Sequence, residues 1–84
     1  MVHHSIGAVL RRVRIKRGMS LKTVARRAGT TFGYLSQVER GDKSPSSEMI
    51  WNICAALNVP VSTVLLEASV LLAEKERRER EYAA

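Results

Sequence analysis

The amino-acid sequence predicts an all-α domain of five helices. Apolar residues recur at helical spacing in five segments of the 84-residue chain, and glycine, asparagine or proline residues separate these segments. No stretch shows the alternation of apolar and polar residues that is typical of a half-buried strand. The length allows one domain with a thin core, and a single cysteine, Cys54, excludes an intrachain disulfide.

Helix 1 is predicted over residues 6–17, where apolar residues recur at i, i+4 and i+7. Residues 1–5 are expected to form a flexible N-terminal arm. Ser5 is a candidate N-cap because its hydroxyl can accept a hydrogen bond from the first turn. Gly18 is expected to end the helix in the left-handed conformation.

Helix 2 (residues 21–28) and helix 3 (residues 32–40) are predicted to follow, with Ser20 and Thr31 as their N-caps. Gly29 lies between them, and glycine reaches a positive φ without steric cost, so the turn can be tight. Two short helices about such a turn predict a helix-turn-helix.

Three side chains support the helix-turn-helix prediction. Ala25, four residues before the turn glycine, is small enough for the two helices to cross closely. Leu35 and Val38 are placed to anchor helix 3 in the core, which leaves the N-terminal end of that helix projecting.

Helices 4 and 5 are predicted over residues 47–57 and from residue 61 or 62 to about residue 82. Helix 4 is apolar on almost every side and helix 5 carries two apolar rows, which is more apolar surface than so small a domain can cover. We therefore expect a second copy to cover the remainder. Residues 6–66 are predicted to form the domain, and residues 67–84 an extension that serves dimerisation and then becomes a charged tail. The candidate dimer-interface residues are Trp51, Val61, Val64, Leu65, Ala68, Leu71 and Leu72.

Positive charge is concentrated in the first half of the chain. The net charge is +6 and the isoelectric point is near 10.3. Residues 1–43 hold ten of the fourteen Lys and Arg residues but only two acidic residues, and the second half is slightly acidic. This distribution indicates a polyanion-binding face, which nucleic acid, an acidic membrane or an acidic protein would fit.

The residue pattern argues against several other functions. The chain has no paired carboxylates, no Ser/His/Asp or Cys/His set, no glycine loop for phosphates and no Cys/His cluster with metal spacing. We therefore expect no enzyme activity, no cofactor and no metal site. No apolar run approaches the ~18 residues that span a bilayer, and the start has no secretory pattern. A cytoplasmic protein without a membrane partner is expected.

The sequence resembles the Xre/Cro/C1 family of helix-turn-helix transcription regulators over about residues 6–66. The resemblance lies in Leu10 to Arg14, in GMSLKTVARRAGTTFGYLSQVERG from Gly18 to Gly41, in Pro45-Ser46 and in ICAALNVP to Val64. Within the family, GYLSQVERG followed by SSEMIWNICAALNVPVSTVL is similar to the actinobacterial Clp-gene regulator group. The resemblance implies a five-helix, lambda-repressor-like DNA-binding domain with an extended C-terminal helix.

The resemblance also implies roles for individual residues. The family's base-reading positions fall on Phe32, Gly33, Ser36 and Gln37. Gln37 can bond adenine and Phe32 can contact a thymine methyl, whereas Gly33 either brings the backbone close to DNA or reads little. Arg14 and Glu39 match a buried, structural ion pair. The candidate phosphate contacts are Arg11, Ser20, Lys22, Thr31, Tyr34, Arg40 and Lys43.

We therefore predict a sequence-specific, double-stranded DNA-binding transcription regulator that acts as a homodimer on a near-palindromic operator. The subgroup resemblance implies activation of protease or stress genes, with RNA polymerase as a further candidate partner. Two alternatives stay open: a protein-interaction module of the same fold, such as an antitoxin or coactivator, and a non-specific architectural DNA binder.

Overall fold

The computed structural model describes residues 2–83, and the side chains of residues 4–81. Five α-helices follow one another: α1 Val2–Lys16, α2 Leu21–Ala28, α3 Phe32–Arg40, α4 Ser47–Leu57 and α5 Val61–Ala83. No strand occurs within residues 2–83. The all-α prediction is confirmed, and α2 to α5 begin where the sequence predicts them.

Capping side chains and left-handed residues define the ends of the three middle helices. The hydroxyls of Ser20, Thr31 and Ser46 each accept the N–H of the residue three positions later at 3.1 Å. The predicted N-caps of α2 and α3 are therefore confirmed. The residues that end these helices have positive φ: Gly29, Gly41 and Asn58.

α1 begins earlier than predicted. Residues 2–5, which were expected to form a flexible arm, are helical, and Met1 lies outside the described residues. Ser5 is not an N-cap but a buried residue inside α1, with 8% of its surface exposed. The first turn of α1 is therefore part of the packed domain.

Close contacts with α3 explain why the first turn of α1 is ordered. Gly7 lies so near α3 that a Cβ there would be 2.1 Å from the carbonyl oxygen of Val38. The ring of His4 lies against Gly41, where a Cβ would be 2.8 Å from the ring. Small residues at two crossing points thus let α1 run along the end of α3, and tertiary packing extends the helix.

The core lies where the five helices meet. α1 packs against α3 and α5, and α2 packs against α3 and α4. Leu35 and Val38, the predicted anchors of α3, are fully buried, so α3 is fixed to the rest of the domain. The other largest fully buried side chains are Leu10, Ile53, Leu57, Val9, Val24, Val64 and Cys54.

α4 contributes one face to the core and leaves another in solvent. Ile53, Cys54 and Leu57 are buried, whereas Trp51 is 66% exposed. Burial raises the pKa of the Cys54 thiol, which keeps this cysteine protonated and unreactive. Within the described part of the chain, the outer face of α4 is thus exposed at Trp51.

α5 belongs to the core beyond residue 66, which was the predicted boundary of the domain. Val64 and Ala68 are 0% and 1% exposed, and Leu71 packs against the same cluster. The prediction that Val64 and Ala68 lie in a dimer interface is wrong, because α5 turns these two side chains towards its own domain and leaves them no surface for a partner. At the surface, Arg12 forms an ion pair with Glu67 and links α1 to α5.

The last part of α5 projects from the domain. The side chains of residues 76–81 are all exposed, and the molecule measures 46 × 22 × 22 Å. No single helix among residues 2–83 is long and apolar enough to cross a membrane. Only α4 and α5 taken as a pair reach that length and composition, and the chain bends by 109° between them.

Candidate nucleic-acid interface

The first residues and the outer face of α3 form an open depression of about 600 Å³, here called the α3 groove. It brings together all four residues predicted to contact bases and four of those predicted to contact phosphates. Its lining residues are Thr31, Phe32, Gly33, Tyr34, Ser36, Gln37, Arg40 and Lys43. A concave surface with an amide, hydroxyls, aromatic rings and a cationic rim is suited to a nucleic acid.

Local structure orients the residues of the α3 groove. Because Leu35 and Val38 are buried, the residues between and before them face outward. Phe32 is 55% exposed, and Gln37 is half-buried. Residues four apart lie on the same side of a helix, so Gly33 and Gln37 share one side of α3.

Arg40 is held at the rim of the α3 groove by two contacts that sequence reasoning missed. Its Nη1 donates to Ser36 Oγ at 2.7 Å, and its Nε pairs with Asp42 Oδ2 at 3.1 Å. The side chains of Arg40 and Asp42 are 60% and 59% exposed, and such pairs contribute only about 0–1 kcal/mol. A phosphate can therefore replace Asp42 at the guanidinium at little cost.

A second depression of about 430 Å³ lies beside the α3 groove. Ser36 and Arg40 line both depressions, so the predicted phosphate contact Arg11 lies next to the α3 groove. The full lining of the second depression is Arg11, Arg14, Leu21, Ser36, Glu39 and Arg40.

Arg14 and Glu39 form the predicted ion pair between α1 and α3. Arg14 Nε lies 2.7 Å from Glu39 Oε2, and Arg14 Nη2 lies 3.1 Å from Oε1. The guanidinium also donates to the Met19 carbonyl at 2.9 Å. The two side chains are only 13% and 5% exposed. The prediction is confirmed, and the bidentate, buried geometry makes the pair a structural one.

Two predicted phosphate contacts, Ser20 and Lys22, line neither the α3 groove nor the second depression. The Ser20 hydroxyl accepts the Thr23 N–H at 3.1 Å and donates to Thr23 Oγ1 at 3.0 Å, so capping occupies it. Lys22 is exposed on α2. The DNA contacts of both residues stay predictions.

Large apolar side chains stay exposed on α4 and α5. Trp51 and Leu65, both predicted interface residues, are 66% and 44% exposed. Leu66 and Val70 are 67% and 53% exposed and were not predicted, although their i, i+4 spacing indicates a shared face. Leu65, Leu66 and Val70 are here called the α5 apolar row. The remaining predicted interface residues are partly buried: Val61, Leu71 and Leu72.

This fold and groove define a helix-turn-helix domain of the DNA-binding type. The helix-turn-helix family matches residues 10–64, which include α2, the turn and α3. The chain belongs to the Xre-type helix-turn-helix family of transcription regulators.

Within that family the chain is similar to the regulators named ClgR, as the sequence predicts. It is 44% identical over 80 residues to the transcriptional regulator ClgR of Mycobacterium tuberculosis, which covers 95% of this chain and 71% of that protein. The crystal structure of the clp gene regulator ClgR from Corynebacterium glutamicum has a TM-score of 0.89 and 35% identity, and covers 99% of this chain and 88% of that one. The restriction-modification controller protein C.AhdI from Aeromonas hydrophila has a TM-score of 0.71 and 29% identity. The match covers 74% of this chain and 94% of that one.

Proposed function

We propose that this protein is a sequence-specific transcription regulator that binds double-stranded DNA through the α3 groove. The observation that carries the proposal is the clustering of the four candidate base-contacting residues with Arg40 and Lys43 in one open depression along the outer face of α3. The major groove of B-DNA, about 12 Å wide, admits one α-helix. In a helix-turn-helix, the N-terminal residues of the second helix face the base edges.

Gln37 is the principal base-reading residue in this proposal. Its amide both donates and accepts, so it can bond N6 and N7 of one adenine. The exposed ring of Phe32 supplies an apolar contact for a thymine methyl. Ser36 already accepts from Arg40 and keeps its own O–H free to donate. Together these side chains can distinguish base pairs within one half-site.

Phosphate contacts in and beside the α3 groove position α3 in this proposal. Arg40 and Lys43 lie at the rim of the groove, and Arg11 lies in the adjoining depression. Cations that neutralise phosphates release counterions, so binding weakens as salt rises. The other proposed contacts are Ser20, Lys22, Thr31 and Tyr34.

The apolar surface of α5 supports the proposal of a homodimer that binds a near-palindrome. The α5 apolar row and Trp51 stay exposed in the single chain, and a second copy can cover them. Two α3 helices about 34 Å apart enter successive major grooves on one side of the duplex. Each copy then reads one half-site, which doubles the number of base contacts.

The similarity to the clp gene regulators supports a proposed set of targets. We infer that the chain regulates protease or stress genes and activates them, with RNA polymerase as a partner. The proposed place of action is the cytoplasm, where the DNA of its bacterial relatives lies.

Selection of bound sequences from random duplex DNA tests this function. A regulator of this kind enriches one near-palindrome whose half-sites are centred 10–10.5 base pairs, or a multiple of that, apart. Enrichment of many unrelated sequences at ~150 mM salt would instead indicate an architectural DNA binder. Absence of any enrichment, together with binding to an acidic protein, would indicate a protein-interaction module.

A further inference from the structure

Gly33 is the one glycine whose place in the fold does not require glycine. All five glycines of the chain lie within the described residues. Three of them have positive φ: Gly18, Gly29 and Gly41. Gly7 has no room for a Cβ beside the Val38 carbonyl. At Gly33 the φ is not positive, and a Cβ would meet nothing within 4 Å.

Folding alone therefore favours another residue at this position. Glycine is the least favourable residue in a helix apart from proline, because it loses the most backbone entropy on ordering. Gly33 lies in the first turn of α3, is exposed, and lines the α3 groove. A reason for glycine here must come from outside the chain.

We propose that Gly33 sets how deeply α3 enters the major groove of double-stranded DNA. Gly33 and Gln37 share one side of α3, so the missing side chain lies one helical turn before the amide that reads adenine. Without a Cβ, the backbone at this position can touch the DNA. The Gln37 amide then reaches the base edge, and Gly33 acts as a positioning residue for specificity without a side-chain contact of its own.

Small displacements are sufficient for this role. A hydrogen bond of about 2.9 Å is lost once the donor and acceptor are more than about 3.5 Å apart. A methyl group between α3 and the DNA therefore breaks the contacts of Gln37 even if it displaces the helix from the bases by less than ~1 Å. A shallower position of α3 therefore reduces sequence selectivity more than phosphate binding, since long Lys and Arg side chains can still reach the DNA phosphates.

A double-mutant cycle on Gly33→Ala and Gln37→Ala tests the proposal. Because this role presupposes the proposed DNA binding, the preference of the wild-type protein for its selected duplex over a scrambled duplex is measured first. Affinities for both duplexes and melting temperatures are then measured for the wild-type protein, the single variants and the double variant.

The expected result has three parts. Gly33→Ala raises the melting temperature by a few degrees but weakens binding to the selected duplex at least about tenfold, with a smaller change on the scrambled duplex. Gln37→Ala strongly weakens binding to the selected duplex in the wild-type background. It weakens this binding little in the Gly33→Ala background, because the Gln37 amide no longer reaches its base there.

Four results would overturn the proposal. If Gly33→Ala binds the selected duplex as tightly as the wild type or more tightly, Gly33 does not set the depth of α3, and the proposed function still stands. Additive effects of the two substitutions on the affinity for the selected duplex would lead to the same conclusion. A lower melting temperature would show that the fold itself needs this glycine. A wild-type protein without preference for any duplex would overturn both the proposed function and the role of Gly33.

Discussion

At the scale of single residues, Gly7 decides how close α1 and α3 approach. A Cβ at this position would lie 2.1 Å from the Val38 carbonyl oxygen, and backbone cannot give way as a flexible side chain can. The sequence carries no sign of this contact, since a helical glycine normally indicates a weak point in the helix. In this fold it is instead a requirement of helix packing.

Gly7→Ala is expected to destabilise the protein by about 1–3 kcal/mol through overpacking, although alanine is the better helix former. Gly33→Ala is the matched control, since it is the same substitution at a helical glycine with open space, and it is expected to be stabilising. Urea denaturation of both variants measures the difference. A Gly7→Ala protein as stable as the wild type would contradict the packing account.

Two Arg–carboxylate pairs of the chain differ in burial and are expected to differ in their contribution to the free energy of unfolding. Glu39→Ala leaves the buried guanidinium of Arg14 unpaired and should cost about 3–5 kcal/mol of unfolding free energy. Asp42→Ala breaks the exposed pair with Arg40 and should cost less than about 1 kcal/mol. Chemical denaturation compares the two, and similar small losses would show that the Arg14–Glu39 pair is not a structural element.

At the scale of the helices, α3 is predictable because its determinants are local. Thr31 caps it, Gly41 ends it, and Leu35 and Val38 mark its buried side. The start of α1 is not predictable in this way, because it depends on contacts with residues more than thirty positions away in the sequence. The residues of the α3 groove could be identified from their positions on α3. The ion pair between Arg40 and Asp42 could not, because it depends on side-chain geometry.

α5 shows a different limit of sequence reasoning. Its pattern predicts two apolar rows, one of Val61, Leu65, Ala68 and Leu72 and the other of Val64 and Leu71, but does not tell which members of each row face the domain. Val64 and Ala68 are buried in the core, where α5 packs against α1, whereas Leu66 and Val70 are exposed to solvent. A spacing of 4-3-4 that begins at Val61 passes over both exposed residues, which is why they were missed. The register of a helix against its own domain is a tertiary property.

The α5 apolar row yields a prediction about assembly. Leu66→Lys/Val70→Lys places two charges on exposed positions, so the folded monomer should persist while the dimer dissociates, because desolvating unpaired charges is costly. Glu76→Ala/Arg80→Ala, on the exposed end of α5, is the control and should leave the dimer intact. Sedimentation velocity, with circular dichroism to confirm helix content, measures both.

The outcome that would contradict this assignment is a Leu66→Lys/Val70→Lys protein that sediments like the wild-type dimer. Dimerisation would then have to use another surface, of which the exposed Trp51 on α4 is the next candidate. A wild-type protein that stays monomeric on its selected DNA would contradict the homodimer itself.

At the scale of the whole molecule, we propose that the two halves of the chain bind different partners. Ten of the fourteen basic residues lie within residues 1–43, together with the whole of the helix-turn-helix. The slightly acidic second half carries the exposed apolar row and the projecting end of α5. Charge attracts the first half to DNA, and apolar surface on the second half brings two copies together in the proposed assembly.

In the proposed complex, side chains of the α3 groove read individual base pairs. The most direct test measures the affinity of the wild type and of Gln37→Ala for the selected duplex and for each of its single-base-pair variants at fixed salt. We predict a loss of about 1–3 kcal/mol on the selected duplex and a relaxed preference at one base pair of each half-site. A uniform loss of affinity on every duplex, or no loss at all, would contradict base reading by Gln37.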